Sequence, residues 1–148
     1  MEIATKANGT ITIEENQIYT VPSGLFGFEE YTSYAMYEAE QKPFFWFQSL
    51  QDKNLSFLLI DPFAFCADYE LDIDDESLKT IGIESPSDVL VMSIVTVPCD
   101  GSPITANLQG PLIFNKKNNK CIQVISCDPR WFTKHDIFAE AAKRGSSC

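Results

Sequence analysis

Val89-Leu90-Val91-Met92-Ser93-Ile94-Val95-Thr96-Val97 decides the fold. The run is almost continuously apolar and rich in β-branched side chains, which suits a strand covered on both faces. Pro98 ends it, because proline brings no N–H to a ladder. Immediately upstream, Ser85-Pro86-Ser87-Asp88 is a turn. Before that turn Asp74 is placed as a helix N-cap, with Asp75 and Glu76 at the positive end of the helix dipole, Lys79 toward the other end and Gly82 as a stop. The spacing predicts a helix of about two turns. Asp68-Tyr69-Glu70-Leu71-Asp72-Ile73 alternates strictly. In a strand, that pattern sends Tyr69, Leu71 and Ile73 to one face and the three acids to the other, as an acidic stripe.

Short β-favouring runs fill the chain on either side. Residues 3–6 and 10–13 flank the Asn8-Gly9 turn signal as a hairpin. Residues 16–21 form a third strand, stopped by Pro22-Ser23-Gly24, and 34–38 a fourth. Residues 44–49 and 56–60 are neighbours across a turn at 51–54. Beyond Pro98, residues 104–108, 111–115 and 121–126 complete the set, the last two joined by the polar loop Lys116-Lys117-Asn118-Asn119-Lys120. From Pro129 the period changes. Trp131, Phe132, Ile137, Phe138, Ala141 and Ala142 fall at helical spacing, and Lys143-Arg144 suit a helix end before Gly145. The expected architecture is therefore mostly β: a small antiparallel β-barrel-like domain, closed or half-closed, with one short inserted helix and a C-terminal helix. It occupies residues 1–148 as a single domain, with 129–148 as a helical extension and tail, and no repeat or linker divides it.

Length and composition bound the function. A chain of 148 residues can bury roughly 70% of its unfolded surface and needs no covalent staples. The amino terminus has no basic segment leading into an apolar run, and no stretch is long and apolar enough to span a bilayer, so the expected location is the cytoplasm, away from membranes. Five cysteines (Cys66, Cys99, Cys121, Cys127, Cys148) are irregularly spaced without a Cys-x-x-Cys pair, as reduced thiols would be. The formal net charge is −10. A phosphate backbone needs a basic face, so nucleic acid is a poor partner. Residues 61–88 hold nine acids (Asp61, Asp68, Glu70, Asp72, Asp74, Asp75, Glu76, Glu84, Asp88) against Lys79 alone. A solvated face is one use of such a segment, and a landing surface for a cationic protein is the other.

Catalytic patterns are thin. His135, the one histidine, lies beside Lys134 and Asp136 and reads as a surface residue, not as the base of a triad. Asp68, Glu70, Asp72 and Asp74 resemble the start of a calcium loop, but Ile73 stands where the sharp turn demands glycine. Ser23-Gly24-Leu25-Phe26-Gly27 lacks the spacing of a phosphate cradle and suits a tight turn. No enzymatic activity, metal or cofactor is expected. Two other classes stay open: a small barrel that encloses a metabolite or catalyses a minor reaction, which a filled interior would argue against, and an RNA-binding barrel of the cold-shock kind, which the acidic balance disfavours.

Taken in order, residues 22–29 (Pro-Ser-Gly-Leu-Phe-Gly-Phe-Glu), 44–49, Asp61-Pro62-Phe63, Asp68-Tyr69-Glu70, Ile94-Val95-Thr96-Val97-Pro98 and Thr105-Ala106-Asn107-Leu108-Gln109-Gly110-Pro111-Leu112 resemble the FliW family of bacterial flagellar assembly factors, from Met1 to about His135. Each motif alone is weak, and their succession is specific. The resemblance implies a non-enzymatic β-barrel-like protein with two partners, flagellin and the RNA-binding translational regulator CsrA. In that family flagellin holds the factor until export frees it, and the freed factor antagonises CsrA allosterically, so that flagellin is made. Carried over by motif, the partner-binding residues are Asp61, Phe63, Tyr69, Glu70, Val97, Pro98, Thr105, Ala106, Asn107, Leu108 and Pro111, with Glu70 foremost. The chain departs from the family pattern at Phe26, where proline is common, and at Gly110-Pro111, where alanine-proline is common.

Overall fold

The computed structural model describes residues 1–66, 68–70, 75–98, 100–126, 128–137 and 139. In chain order its elements are β1 (Glu2–Thr5), β2 (Gly9–Thr12), β3 (Ile18–Thr20), β4 (Ser33–Glu38), β5 (Phe45–Ser49), β6 (Ser56–Ile60), α1 (Asp75–Thr80), β7 (Val89–Thr96), β8 (Thr105–Ala106), β9 (Leu112–Asn115), β10 (Lys120–Gln123) and β11 (His135–Asp136). The long apolar run is β7, and it closes the fold. One of its edges pairs antiparallel with β6 through Leu58↔Val95 to Ile60↔Ser93. Its other edge is divided: residues 89–92 pair with β9, and Val95 and Thr96 pair with β8. The sheet runs β11-β8-β7-β6-β5-β4-β3-β10-β9, and the β7–β9 pairing makes a ring of its seven strands from β7 to β9. One contact in the ring is parallel, Lys120↔Thr20 between β10 and β3. Two-residue β8 and β11 form an annex beside the ring.

Alternation along the strands sorts the side chains into two layers. Inward residues Tyr19, Tyr34, Phe47, Leu59, Met92, Leu112, Phe114 and Cys121 fill the barrel. The Tyr34 and Phe47 rings stack at 4.4 Å, and Phe114 meets Phe47 edge-on at 5.5 Å. Burial pushes the Tyr34 phenol up to about 12 and the Cys121 thiol well above its usual value, so both stay uncharged inside. Outward residues Ile60, Val91, Val95 and Ile113 make a second core with Phe65, Tyr69, Ile81, Trp131 and Ile137. β7 is thus covered on both faces. A third, smaller cluster seats the β1–β2 hairpin, through Ile3 and Ile13, on Ala35 of β4. Gln48, fully buried on β5, ties that hairpin down by accepting the Lys6 N–H at 3.0 Å and donating to the Ser49 and Lys53 carbonyls at 3.0 and 3.1 Å.

Helix α1 lies where its charges predicted, with Asp75 and Glu76 in its first turn and Lys79 in its last. Gly82, at φ +73°, reverses the chain after it, and the Ile81 carbonyl accepts Asn115 Nδ2 at 2.8 Å and Asn118 Nδ2 at 2.9 Å. The cap predicted at Asp74, with residues 71–73, lies outside the described residues. Two expectations are corrected. Residues 68–70 form no strand: Tyr69 is buried between exposed Asp68 and Glu70, but the chain there turns, Tyr69 N–H reaching the Cys66 carbonyl at 3.2 Å. Nor does a helix begin at Pro129. Residues 129–134 are irregular and 135–136 are β11, because the backbone of this segment bonds sideways to β8 and to the turn after it. Ile137 and Ala139 are helical, as expected, and the rest of the predicted terminal helix lies outside the described residues.

Candidate functional site

Where β6 ends, Asp61 accepts the Phe63 N–H at 2.9 Å and, with Pro62 in the first helical position, winds a single 3-10 turn over Pro62–Ala64. That turn leaves the Phe63 ring 44% exposed. The chain then folds inward at Tyr69, whose ring lies 5.6 Å from Phe63 and 4.9 Å from Trp131. The Tyr69 hydroxyl donates to the Leu108 carbonyl at 2.8 Å. Burial raises its pKa, with the neighbouring Cys66 adding to the shift. One phenol therefore bolts the segment carrying Phe63 and Glu70 to the turn after β8.

Glu70 projects into solvent, and its backbone carbonyl accepts Trp131 Nε1–H at 3.0 Å. Its carboxylate stands 3.3 Å from Arg130 Nη2. Arg130 is clamped more tightly by Asp128, with contacts of 2.7 Å from Nη2 and 3.1 Å from Nε, and its guanidinium sits 4.8 Å from the Trp131 ring centre. Hydrogen bonds from Arg130 hold the Asp128 carboxyl below the usual range, and in turn keep Arg130 charged. His135 is not a surface residue as expected. It is nine-tenths buried, its Nε2 accepts the Phe132 N–H at 2.7 Å, and its ring lies between Trp131 and Phe132.

Across the annex, the Asn107 N–H extends the β7–β8 pairing to the Ile94 carbonyl at 2.9 Å. Asn107 Oδ1 caps the following turn by accepting the N–H groups of Gln109 and Gly110 at 3.1 and 2.8 Å. Gln123 Nε2 donates to the Gly110 carbonyl at 3.0 Å while its Oε1 accepts the Phe26 N–H at 2.9 Å, stitching this turn to 22–28. The residues named from sequence thus separate into two sets. Tyr69, Ala106, Leu108 and Pro111 are buried, whereas Asp61, Phe63, Glu70, Val97, Pro98, Thr105 and Asn107 are exposed or half-buried. Asp128, Arg130, Trp131, Phe132 and His135 were missed. The Arg-Trp-Phe triplet was their one sequence signal, and the helical period absorbed it.

The acids of 61–88 do not all face outward. Asp88 is buried and lies 3.5 Å from Lys117 at the far end of β7. Asp61 caps a turn, and Asp68 accepts the Cys66 thiol at 3.3 Å. Asp75, Glu76 and Glu84 are exposed, and Asp72 and Asp74 lie outside the described residues. Among the described residues no three His, Cys, Asp or Glu side chains stand close enough to hold a metal ion, and no helix is long and apolar enough to cross a membrane.

Comparison with known proteins agrees over nearly the whole length. The family model described as FliW protein matches residues 2–137. The flagellar assembly factor FliW of Treponema denticola is 57% identical over 145 residues, covering 98% of this chain and 99% of that protein. Its counterpart in Treponema pallidum is 58% identical over 144 residues, 97% of this chain and 96% of that one. A crystal structure of the flagellar assembly factor FliW superposes with a TM-score of 0.84 at 36% identity, covering 93% of this chain and 97% of the other.

Proposed function

The chain belongs to the FliW family of flagellar assembly factors, and on that premise we propose that it works in the cytoplasm as a non-enzymatic binding protein with flagellin and CsrA as its partners. It binds no nucleic acid, requires no cofactor, and antagonises CsrA from outside the RNA-binding surface, so that flagellin synthesis is relieved of repression. The observation that carries this reading is the Tyr69 junction. The buried Tyr69 hydrogen bond to Leu108, with the Trp131 Nε1–H bond to the Glu70 carbonyl, holds the Phe63–Glu70 segment against the turn after β8, so the exposed groups meet a partner already ordered. A net charge of −10 suits capture of a cationic protein by charge attraction. The filled barrel interior supports a surface-binding role over enclosure of a metabolite.

Calorimetric titration with purified CsrA and purified flagellin tests the reading. Binding of neither at low salt would end it. Glu70→Lys places a second cation beside Arg130 and should weaken CsrA capture roughly tenfold. An unchanged affinity would remove residue 70 from the surface.

A further inference from the structure

The β1–β2 hairpin stands apart from the barrel as a two-stranded sheet of its own, and the turn joining its strands ends in Asn8-Gly9. Asn8 alone among the asparagines precedes glycine. The side-chain carbonyl of an asparagine lies one five-membered ring away from the next backbone nitrogen, and a following side chain ordinarily screens that nitrogen. Gly9 provides no screen: it sits at φ +65°, and open space lies where a side chain would project. The amide groups differ as well. Asn115, Asn118 and Asn119 each hold their amide nitrogen on a backbone carbonyl, at 2.8, 2.9 and 2.9 Å. Asn8 is exposed, its amide nitrogen has no hydrogen-bond partner among the described residues, and its Oδ1 accepts the Tyr37 hydroxyl at 3.1 Å. Nothing grips the group that would have to leave, and a donor already stands at the oxygen where charge would gather. The Gly9 nitrogen itself belongs to the last rung of the ladder, Thr5↔Gly9, where a hairpin opens most readily.

We propose that Asn8 is a site of spontaneous covalent modification, in which its carboxamide closes on the Gly9 nitrogen and water opens the product to aspartate and isoaspartate. The Gly9 nitrogen gives its proton to solvent and attacks Asn8 Cγ. The bond from Cγ to the amide nitrogen breaks, and ammonia leaves with a proton taken from water. Water then opens the five-membered imide. Opening at the side-chain carbonyl leaves aspartate, and opening at the main-chain carbonyl leaves isoaspartate, whose backbone runs through Cβ and Cγ. One amide and one water become one carboxylate and one ammonium ion, with no oxidant, reductant or enzyme in the balance. Either product adds a negative charge at residue 8. Isoaspartate also lengthens the main chain inside a turn fixed by the Asn8 N–H donating to Thr5 Oγ1 at 2.9 Å and Thr5 Oγ1 donating to the Gly9 carbonyl at 2.6 Å. That turn sets the register in which Ile3 and Ile13 meet Ala35. Isoaspartate therefore loosens the hairpin and leaves the barrel ring intact. None of this depends on the partners proposed above.

The test holds the full chain in warm, mildly alkaline buffer for days and follows residue 8 by peptide mapping with mass spectrometry, and isoaspartate by enzymatic methyl transfer. Residue 8 should gain the mass of an amide becoming an acid, faster at higher pH, while the other asparagines stay amides. Asn8→Gln, whose longer side chain would have to close a larger ring, should abolish the change. Gly9→Ala should slow it about tenfold, and Tyr37→Phe about threefold. Hydrogen exchange over residues 2–12 should quicken in the converted protein and stay unchanged in β5 and β7. If residue 8 stays an amide in the folded protein while the urea-unfolded chain converts, or if neither converts, the site is refuted. Equal conversion at other asparagines refutes its selectivity. An undiminished rate in Tyr37→Phe refutes the part given to that phenol. Should Gly9→Ala fail to fold, Asn8→Gln decides, because an equal mass gain in that variant refutes the chemistry.

Discussion

Replacing Tyr69 by phenylalanine removes one oxygen and leaves the ring contacts with Phe63 and Trp131 in place. Because that oxygen donates to the Leu108 carbonyl in a buried setting, Tyr69→Phe should cost about 1 kcal/mol of stability. Urea unfolding with an unchanged m-value would report it, and CsrA affinity should fall far less than in Glu70→Lys. At this scale the sequence was legible in pattern and not in role. The alternation at 68–70 correctly separated a buried residue from exposed ones, but alternate burial needs only that every second side chain turn inward, and successive turns accomplish that as well as a strand. Likewise, a motif carried over from a family does not distinguish a residue that touches a partner from one that props up its neighbour. Ala106 and Leu108 are fully buried, whereas Phe63 and Glu70 are exposed.

Among the elements, the turn 22–28 shows how little space a local motif can leave. Gly24 has φ +69°, and a Cβ there would stand 2.3 Å from the Glu29 Cα. Gly24→Ala should therefore destabilise by at least ~2 kcal/mol, seen as a lowered urea midpoint; a change below about 0.5 kcal/mol would contradict the geometry. The hairpins, β7 and α1 could be read from turn residues, β-branched runs and helix-end charges. Annex strand β8 lies within the run 104–108 that reads as a strand, but β11 could not be read, since two residues are too few to show a period. The parallel contact of β3 with β10 was equally hidden, because it joins segments a hundred residues apart through Thr20↔Lys120 alone. Between Pro129 and β11 the apolar spacing that resembles a helix comes from Trp131 entering the outer core from a loop, whereas Ile137, which also enters it, is helical.

For the molecule as a whole, burial of tyrosines makes alkali the stress to watch. Tyr34 is pushed from 10.0 up to about 12, and Tyr69 and Tyr19 are also raised by burial. A phenol whose folded pKa lies above its unfolded one adds stability that is fully present below 10 and is lost as pH rises toward the folded value. Stability measured by denaturant should hold up to pH 10 and fall between 10 and about 12, with tyrosinate absorbance rising alongside unfolding. Ionisation of all five tyrosines near 10 in the folded protein would refute this. The acidic balance was plain in the sequence, but its layout was not: Asp88 is consumed internally at the far end of β7 from the annex.

The divided edge of β7 has a mechanical corollary. One end of that edge belongs to a closed hoop and the other to the annex, so the annex hangs from a strand that the hoop holds in place. Pushing on it loads a strand gripped along both margins, so this side of the molecule behaves as the fixed jaw of a vice.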